Sequence, residues 1–274
     1  MLTRILSALI ALPIAVFLIE MGGWWFFGLV LFVGAVSVNE FMGMAHGDDK
    51  TSSTLLTIVG VLVMALLMSG QLRGDQGVVV MAALVMFVWI YFLFRIGDQA
   101  TVAARASLSV TGVLWAGALL AATASLRLLP GGSAWLYLAC VIAWGSDTGG
   151  YFAGRFLGKH KLYPAVSPKK TWEGSIGGVV VATAGSFALN HFWGPGIDPV
   201  HLAILAPVGT VLGQIGDLAE SLLKRSTGVK DSGRIMPGHG GLFDRIDALI
   251  FVGPLLLAYA VLIRNDTIAW LDLI

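Results

Sequence analysis

The chain is poor in charged residues and in cysteine, and both shortages restrict the classes of protein to which it can belong. Charged residues make up only 12% of its 274 residues, whereas hydrophobic residues make up 57%. Soluble domains carry about 25% charged residues, so a polytopic membrane protein fits this composition. The one cysteine, Cys140, excludes an internal disulfide and any cysteine-rich metal site.

Long apolar segments recur along the whole chain, and we predict an all-α, polytopic integral membrane protein with about nine transmembrane helices. The segments lie near 4–20, 23–45, 53–71, 77–96, 102–128, 134–157, 172–194, 199–223 and 242–264. No repeat, low-complexity tail or soluble domain is visible. Residues 1–274 are therefore predicted to form a single membrane domain. Residues 1–100 would supply scaffold and lipid contact, and residues 134–264 the catalytic helices and cytoplasmic loops.

The basic residues predict the orientation in the membrane, because cytoplasmic connections are enriched in Lys and Arg. With a cytoplasmic N-terminus, all but three of the 17 Lys and Arg residues fall on the inside. The exceptions are Arg73, Arg127 and Arg264. This orientation places the loops 155–171 and 224–241 together on the cytoplasmic face of an inner (plasma) membrane.

One stretch, residues 221–247, concentrates the polar chemistry of this apolar chain. Its acidic residues continue into both flanking apolar segments, as Asp217 before it and Asp244 and Asp247 near its end. Charges inside a membrane helix are costly and usually face a cavity where they serve a function. We therefore expect the active site here, and a plain solvated loop is the weaker alternative.

The spacing of these residues favours a cation site. Asp217, then Glu220 or Ser221, and then Lys224 follow one another at helical intervals, so they share one helix face. Asp244 and Asp247 are also spaced for one face of the next helix. Carboxylates without cysteine or a histidine pair are typical ligands of a hard cation, so Mg²⁺ is expected. The alternative is that nearby Lys and Arg residues neutralise them as ordinary ion pairs.

A second polar region lies between residues 144 and 175. Its glycines recur about every four residues, which favours close helix packing. Asp147 follows Trp144 inside an apolar helix and therefore needs a partner, a metal or water. Residues 167–171 (SPKKT) are interpreted as a basic turn that opens a helix, where phosphate is favoured by cations and free N–H groups. A positive-inside anchor without a ligand is the alternative.

These two regions resemble the phosphatidate cytidylyltransferases (CDP-diglyceride synthetases). The element SPKKTxEG matches Ser167 to Gly174. The longer signature matches Ser221, Lys224, Arg225, Lys230, Asp231, Gly233, Pro237, His239, Gly240, Gly241, Asp244, Arg245 and Asp247. The resemblance implies an enzyme that joins CTP to phosphatidate, giving CDP-diacylglycerol and pyrophosphate.

The resemblance also implies roles for individual residues. Asp217 and Asp244 would hold Mg²⁺, with Asp147 and Asp247 as further ligands. The resemblance also suggests K⁺ as a second cation near the Mg²⁺. The catalytic set is Asp217, Ser221, Lys224, Arg225 and Asp244. The substrate-binding set is Ser167, Lys169, Lys170, Thr171, Lys230, Asp231, His239 and Arg245. Expected partners are CTP, phosphatidate and the lipid bilayer, without nucleic acid, and the glycine-rich helices are compatible with a homodimer.

Two other functions compete with this one. A CTP-dependent polyprenol or lipid kinase would use a similar site of carboxylates and lysines. A secondary transporter is less favoured, because the charges gather at one face and no repeat is evident. Outside the two polar regions, Glu40 stands beside Asn39 in an apolar segment, where a polar pair that caps or joins helices is the favoured interpretation.

Overall fold

The structure is a computed structural model that describes residues 2–70, 72, 74–236, 238 and 240–268, with side chains left out at 2–8, 10 and 74. Its contacts divide the chain into two compact units. The first unit contains the chain up to Ala121 together with Asp231–Phe243. The second contains Ala122–Lys230 and, among the described residues, 244–268. The prediction of a single membrane domain stays a prediction.

Helices cover each of the nine apolar segments. They are α1 (Leu2–Met21), α2 (Gly23–His46), α3 (Lys50–Met68), α4 (Gly74–Phe94), α5 (Gln99–Gly112), α6 (Leu119–Ser125), α7 (Gly132–Phe156), α8 (Trp172–Phe192), α9 (Pro199–Ser226), α10 (Phe243–Ile246) and α11 (Leu249–Leu262). A π-helical turn, Val113–Ala118, joins α5 to α6, and a 3-10 turn, Leu126–Leu128, follows α6.

Six stretches of the described residues are long and apolar enough to cross a membrane. They are Gly23–His46, Lys50–Met68, Asp75–Phe94, Gln99–Leu128, Trp172–Phe192 and Pro199–Ser226. Each reaches the length of about 20 residues that a bilayer requires. The all-α polytopic fold class is therefore confirmed, while the count of nine spans stays a prediction.

A short hairpin interrupts the helices between α7 and α8, where the sequence predicted only a turn. Strand β1 (Lys161–Tyr163) pairs antiparallel with β2 (Ser167–Thr171). Thr171 keeps an extended backbone, and its hydroxyl accepts a hydrogen bond from the amide of Gly174 at 3.1 Å. This N-cap ends the strand and starts α8 in one step. The interpretation of Ser167–Thr171 as a turn is thus wrong, but its position at the opening of a helix is right.

The segment predicted as one helix over 242–264 is broken near its start. α10 ends at Ile246 and α11 begins at Leu249. The carboxylate of Asp247 lies in the gap and accepts the amide hydrogen of Ala248 at 2.8 Å. An aspartate side chain that binds the following backbone competes with helical hydrogen bonding. The prediction that Asp244 and Asp247 share one face of a continuous helix is therefore wrong.

Close contact between α7 and α8 organises the second unit. A side chain at Gly149 would place its Cβ 2.6 Å from the carbonyl oxygen of Gly177 and 2.7 Å from Cβ of Val181. Small residues let membrane helices approach this closely. The interpretation of these glycines as packing residues agrees with the geometry at this position.

A cluster of charges ties the connections of the first unit together. Asp49 caps α3 through the amide and hydroxyl of Ser52, and it pairs with Arg95 at 3.1 Å and with Arg105. Burial raises the pKa of the Asp49 carboxyl, but the hydrogen bonds from Ser52, Arg105 and Arg95 outweigh burial and leave the pKa below its usual range. Asp49 therefore stays ionised and keeps both arginine partners at neutral pH.

Candidate active site

A cavity of about 370 Å³ opens in the second unit. Asp147 reaches it from α7, Lys169 and Lys170 from β2, Thr171 from the cap of α8, and Gln214 from α9. The hairpin explains why two lysines face this space, because it leads the strand past α7 and directly into α8. Pockets that bring together a few polar groups are typical of ligand sites.

Lys170 links this cavity to α9. Its ammonium donates to Oδ2 of Asp217 at 2.6 Å, and both side chains remain about a quarter exposed. One helical turn later, the hydroxyl of Ser221 donates to Oδ1 of Asp217 at 3.4 Å. An exposed pair of this kind contributes little to stability, so its position beside a cavity is more informative than its strength.

A second set of charges lies farther along the same face of α9. The ammonium of Lys224 donates to Oε2 of Glu220 at 2.5 Å and to Oδ1 of Asp244 at 2.7 Å. The three side chains are 11%, 1% and 5% exposed in the order Lys224, Glu220, Asp244. Oε1 of Glu220 is buried and has no hydrogen-bond partner among the described residues. Two largely buried carboxyl groups therefore share one ammonium.

The carboxylates predicted to hold a metal act on one another electrostatically. The charge of Asp217 acts on Asp147 and on Asp247, and the charge of Asp147 also acts on Asp247. Asp244 is connected to these carboxylates through its ion pair with Lys224, because the charge of Lys224 also acts on Asp247. All four predicted ligands belong to the second unit and lie in one neighbourhood.

The donor set fits Mg²⁺ in its chemistry, since hard carboxylate oxygens are the ligands that this ion prefers. As the side chains stand, no group of three or more His, Cys, Asp or Glu within the described ranges is placed to hold an ion. Lysines instead neutralise Asp217 and Asp244. Binding of Mg²⁺ would therefore require these two carboxylates to exchange an ammonium partner for the ion.

Several predicted basic residues lie outside these contacts. Arg225 is exposed, and its guanidinium donates to the carbonyl of Val229 at 3.3 Å. Lys230 is exposed beyond the end of α9. Arg245 is exposed as well, although its charge acts on Asp147. Their assignment to phosphate binding remains a prediction.

The other predicted substrate-binding residues fall in different surroundings. Ser167 is half-buried at the start of β2, whereas Asp231 is exposed and belongs to the first unit. His239 lies outside the described residues, so its role in shaping a turn or contacting a phosphate stays a prediction.

Sequence reasoning missed Gln214. Its amide nitrogen donates to the hydroxyl of Ser146 and to the carbonyl of Ser175, both at 3.1 Å, and its amide oxygen accepts from the Ser175 hydroxyl. The residue joins α7, α8 and α9 beside the cavity. It precedes Asp217 by three positions on α9, so the helical spacing used for Asp217 and Ser221 could have found it.

Glu40 has a more specific role than sequence reasoning assigned. In the first unit its carboxylate accepts hydrogen bonds from the amides of Leu242 and Phe243 and from the hydroxyl of Ser232. The favoured interpretation was that Glu40 caps or joins helices. Glu40 does bind backbone amides, but they belong to the polar stretch 221–247. Asn39, its predicted companion, is exposed.

Comparisons with known proteins agree with the motifs. The curated proteins similar to this chain include phosphatidate cytidylyltransferases of three bacteria. The protein of Bacillus subtilis is 46% identical over 125 residues, which is 46% of each chain. Those of Staphylococcus haemolyticus and Staphylococcus saprophyticus are 45% and 46% identical over 122 residues, which is 44% of this chain and 47% of theirs.

The chain thus spans about half the length of the curated relatives it matches. The sequence model of the Cytidylyltransferase family, in contrast, matches residues 2–263 and so reaches from α1 to the end of α11. Both polar regions described above fall within that match. The chain belongs to the Cytidylyltransferase family.

Proposed function

We propose that this protein transfers the cytidylyl group of CTP to phosphatidate, giving CDP-diacylglycerol and pyrophosphate. The observation that carries the proposal is the meeting of Lys169, Lys170 and Asp147 at one cavity, with Asp217 paired to Lys170. Phosphate-transfer chemistry needs such parts, namely cations that hold phosphates and carboxylates that hold a metal. The names of the relatives support the same substrates.

The proposed reaction is a direct transfer between the two substrates. A phosphate oxygen of phosphatidate attacks the α-phosphorus of CTP. The bond from that phosphorus to the oxygen bridging it to the β-phosphorus breaks, and pyrophosphate leaves with the electron pair. The attacking phosphate is already anionic at neutral pH, so no general base is required. The residues therefore act by position and charge.

The lysines of the hairpin and α9 would hold the reacting groups. Lys169 and Lys170 line the cavity from β2, which supports a role for them in binding the phosphates of CTP. Lys224 is buried between Glu220 and Asp244 and would fix the position of Asp244. Ser221 would orient Asp217 through its hydroxyl.

Asp217 and Asp244 are the proposed Mg²⁺ ligands, with Asp147 and Asp247 as further ligands. When bound, the ion would neutralise negative charge on the phosphates. Asp217 faces Lys170, a cation that a nucleotide phosphate could attract away from it. We further propose that the site faces the cytoplasm from the plasma membrane, because the basic connections favour that side and CTP is found there.

The test is a turnover assay in detergent with phosphatidate, Mg²⁺ and CTP labelled at the α-phosphate. We expect label to enter the lipid, and we expect EDTA or the Asp244→Asn substitution to abolish the transfer. Asp48→Asn removes an exposed carboxylate outside the site and should retain activity. Thermal unfolding of each variant verifies that it is folded.

Two outcomes would contradict the proposal. In the first, CTP labelled at the α-phosphate leaves the lipid unlabelled, whereas CTP labelled at the γ-phosphate labels it. The protein would then be a kinase. If transfer persists in EDTA and in Asp244→Asn, the proposed metal site is wrong even though the reaction stands.

A further inference from the structure

A carboxylate in α2 binds the loop that precedes α10 both at its middle and at its end. Glu40 is 7% exposed. It accepts hydrogen bonds from the amide of Leu242 at 3.1 Å, the amide of Phe243 at 2.8 Å and the hydroxyl of Ser232 at 3.1 Å. We call these four residues the Glu40 clasp. It lies wholly within the first unit.

The clasp links parts of the chain that are about 200 residues apart. A buried carboxylate in an apolar helix is expensive unless charge-assisted hydrogen bonds compensate it. Here three donors supply that compensation, and two of them are backbone amides. The carboxylate therefore recognises the path of the backbone at Leu242 and Phe243, not their side chains.

Two glycines of the polar stretch make room for Glu40. A Cβ at Gly233 would collide with the Glu40 carboxyl, and a Cβ at Gly241 would lie 2.6 Å from Oε2 of Glu40 and collide with the Ser232 hydroxyl. The carboxyl cannot move aside freely, since it is buried and held by three hydrogen bonds. The absence of side chains at these positions is thus explained by packing against Glu40.

The aromatic residue at the end of the clasp is fixed as well. Phe243 is fully buried, with ring centroids 5.8 Å from Phe41 and 6.2 Å from Trp115. Asp244 is the next residue in the chain. The position of the backbone on entering α10 is therefore set by a carboxylate and two aromatic rings of the first unit.

We propose that Glu40 is a positioning residue for the cytidylyl transfer. By holding the amides of Leu242 and Phe243, it fixes the backbone from which Asp244 projects. This inference rests on the proposed function for its link to turnover, whereas the clasp can be measured without any substrate.

The first test measures hydrogen exchange in peptides that cover residues 240–244. Glu40→Ala removes all three acceptor contacts, so the amides of Leu242 and Phe243 should exchange faster than in wild type. Glu40→Gln retains one carbonyl acceptor and should fall between the two. Asn39→Ala changes an exposed neighbour in α2 and should match wild type. Equal exchange in Glu40→Ala and wild type would overturn the clasp.

The second test measures kcat per folded molecule, with the folded fraction taken from thermal unfolding. Small displacements of reacting groups can cost about a hundredfold in rate, so we expect Glu40→Ala to lose about tenfold or more. Glu40→Gln should be intermediate and Asn39→Ala unchanged. If Glu40 served stability alone, kcat per folded molecule would stay at the wild-type value, and that result would overturn the positioning role.

A double substitution tests the clasp against a general effect on the loop. Gly233→Ala should lower kcat in the wild-type background because its methyl group displaces the Glu40 carboxyl. In Glu40→Ala the same methyl group meets no carboxyl, so Gly233→Ala should add little further loss. Additive losses would count against the proposal. If wild type transfers no cytidylyl group, the proposed function fails, and the exchange experiment still decides the clasp.

Discussion

At the scale of single residues, Lys224 is a charged side chain in a largely buried environment. It is the shared partner of Glu220 and Asp244, and all three side chains are largely buried. A buried ion pair adds little net stability when complete, but removal of one partner leaves an uncompensated charge. Lys224 is therefore required even where it touches no substrate.

Lys224→Gln should destabilise the protein by about 3–5 kcal/mol, because Glu220 and Asp244 would lose the ammonium that they share. The adjacent Arg225→Gln is the matched control, since Arg225 is exposed and donates to a backbone carbonyl. Chemical or thermal unfolding in detergent compares the two. Equal stability of both variants would show that the ammonium of Lys224 does not compensate these carboxylates.

At the scale of elements, four pieces of the second unit build the cavity, among them α8 with Gly174 and Ser175. α7 supplies Asp147, the hairpin supplies Lys169 and Lys170, and α9 supplies Gln214. The two strands of the hairpin hold only eight residues, yet β2 carries both lysines to the cavity and leads directly into α8. The contact of α7 with α8 holds this arrangement in place.

Gly149 and Gly150 allow a sharp test of that helix contact. Gly149→Ala places a methyl group 2.6 Å from the carbonyl oxygen of Gly177, so α7 and α8 must separate, which we expect to cost about 1–3 kcal/mol. Gly150→Ala meets its nearest atom at 3.5 Å, an ordinary contact. It should be neutral or slightly stabilising, since alanine favours helix more than glycine does.

Unfolding midpoints of the two alanine variants, measured in the same detergent, provide the comparison. A loss of stability in Gly150→Ala that equals the loss in Gly149→Ala would point to the detergent environment or to helix flexibility. It would not support steric contact between α7 and α8 as the cause.

At the scale of the whole molecule, the helices establish a polytopic membrane protein and the basic connections predict its orientation. The two loops that carry Lys159 and Lys230 should face the cytoplasm, whereas the end of α8 at Trp193 should face outward. All three side chains are exposed, so their positions can be probed by labelling.

Cysteine labelling in intact cells tests this orientation. In a Cys140→Ser background, an impermeant maleimide should label Trp193→Cys and leave Lys159→Cys and Lys230→Cys unlabelled. All three should react after the cells are lysed, which controls for accessibility. Labelling of Lys159→Cys in intact cells would reverse the predicted orientation and would place the candidate site away from CTP.

The sequence by itself determined the membrane class, the helical segments and the chemical character of the site. Apolar runs of about 20 residues have few folds open to them in a bilayer, so their number and spacing predict helices directly. The positions of Asp217, Ser221 and Lys224 on one face follow from helical periodicity alone. Helix length and helical periodicity depend only on residues that are near one another in the chain, so the sequence alone is enough to predict them.

Only the tertiary structure decided which distant residues meet. The pairing of β2 with β1 and the Glu40 clasp both depend on partners that the local sequence pattern does not indicate. Gln214 and Glu40 are each compensated by contacts from other elements. The physical reason is that a buried polar group is stable only where its hydrogen-bond partners are, and folding alone brings those partners together.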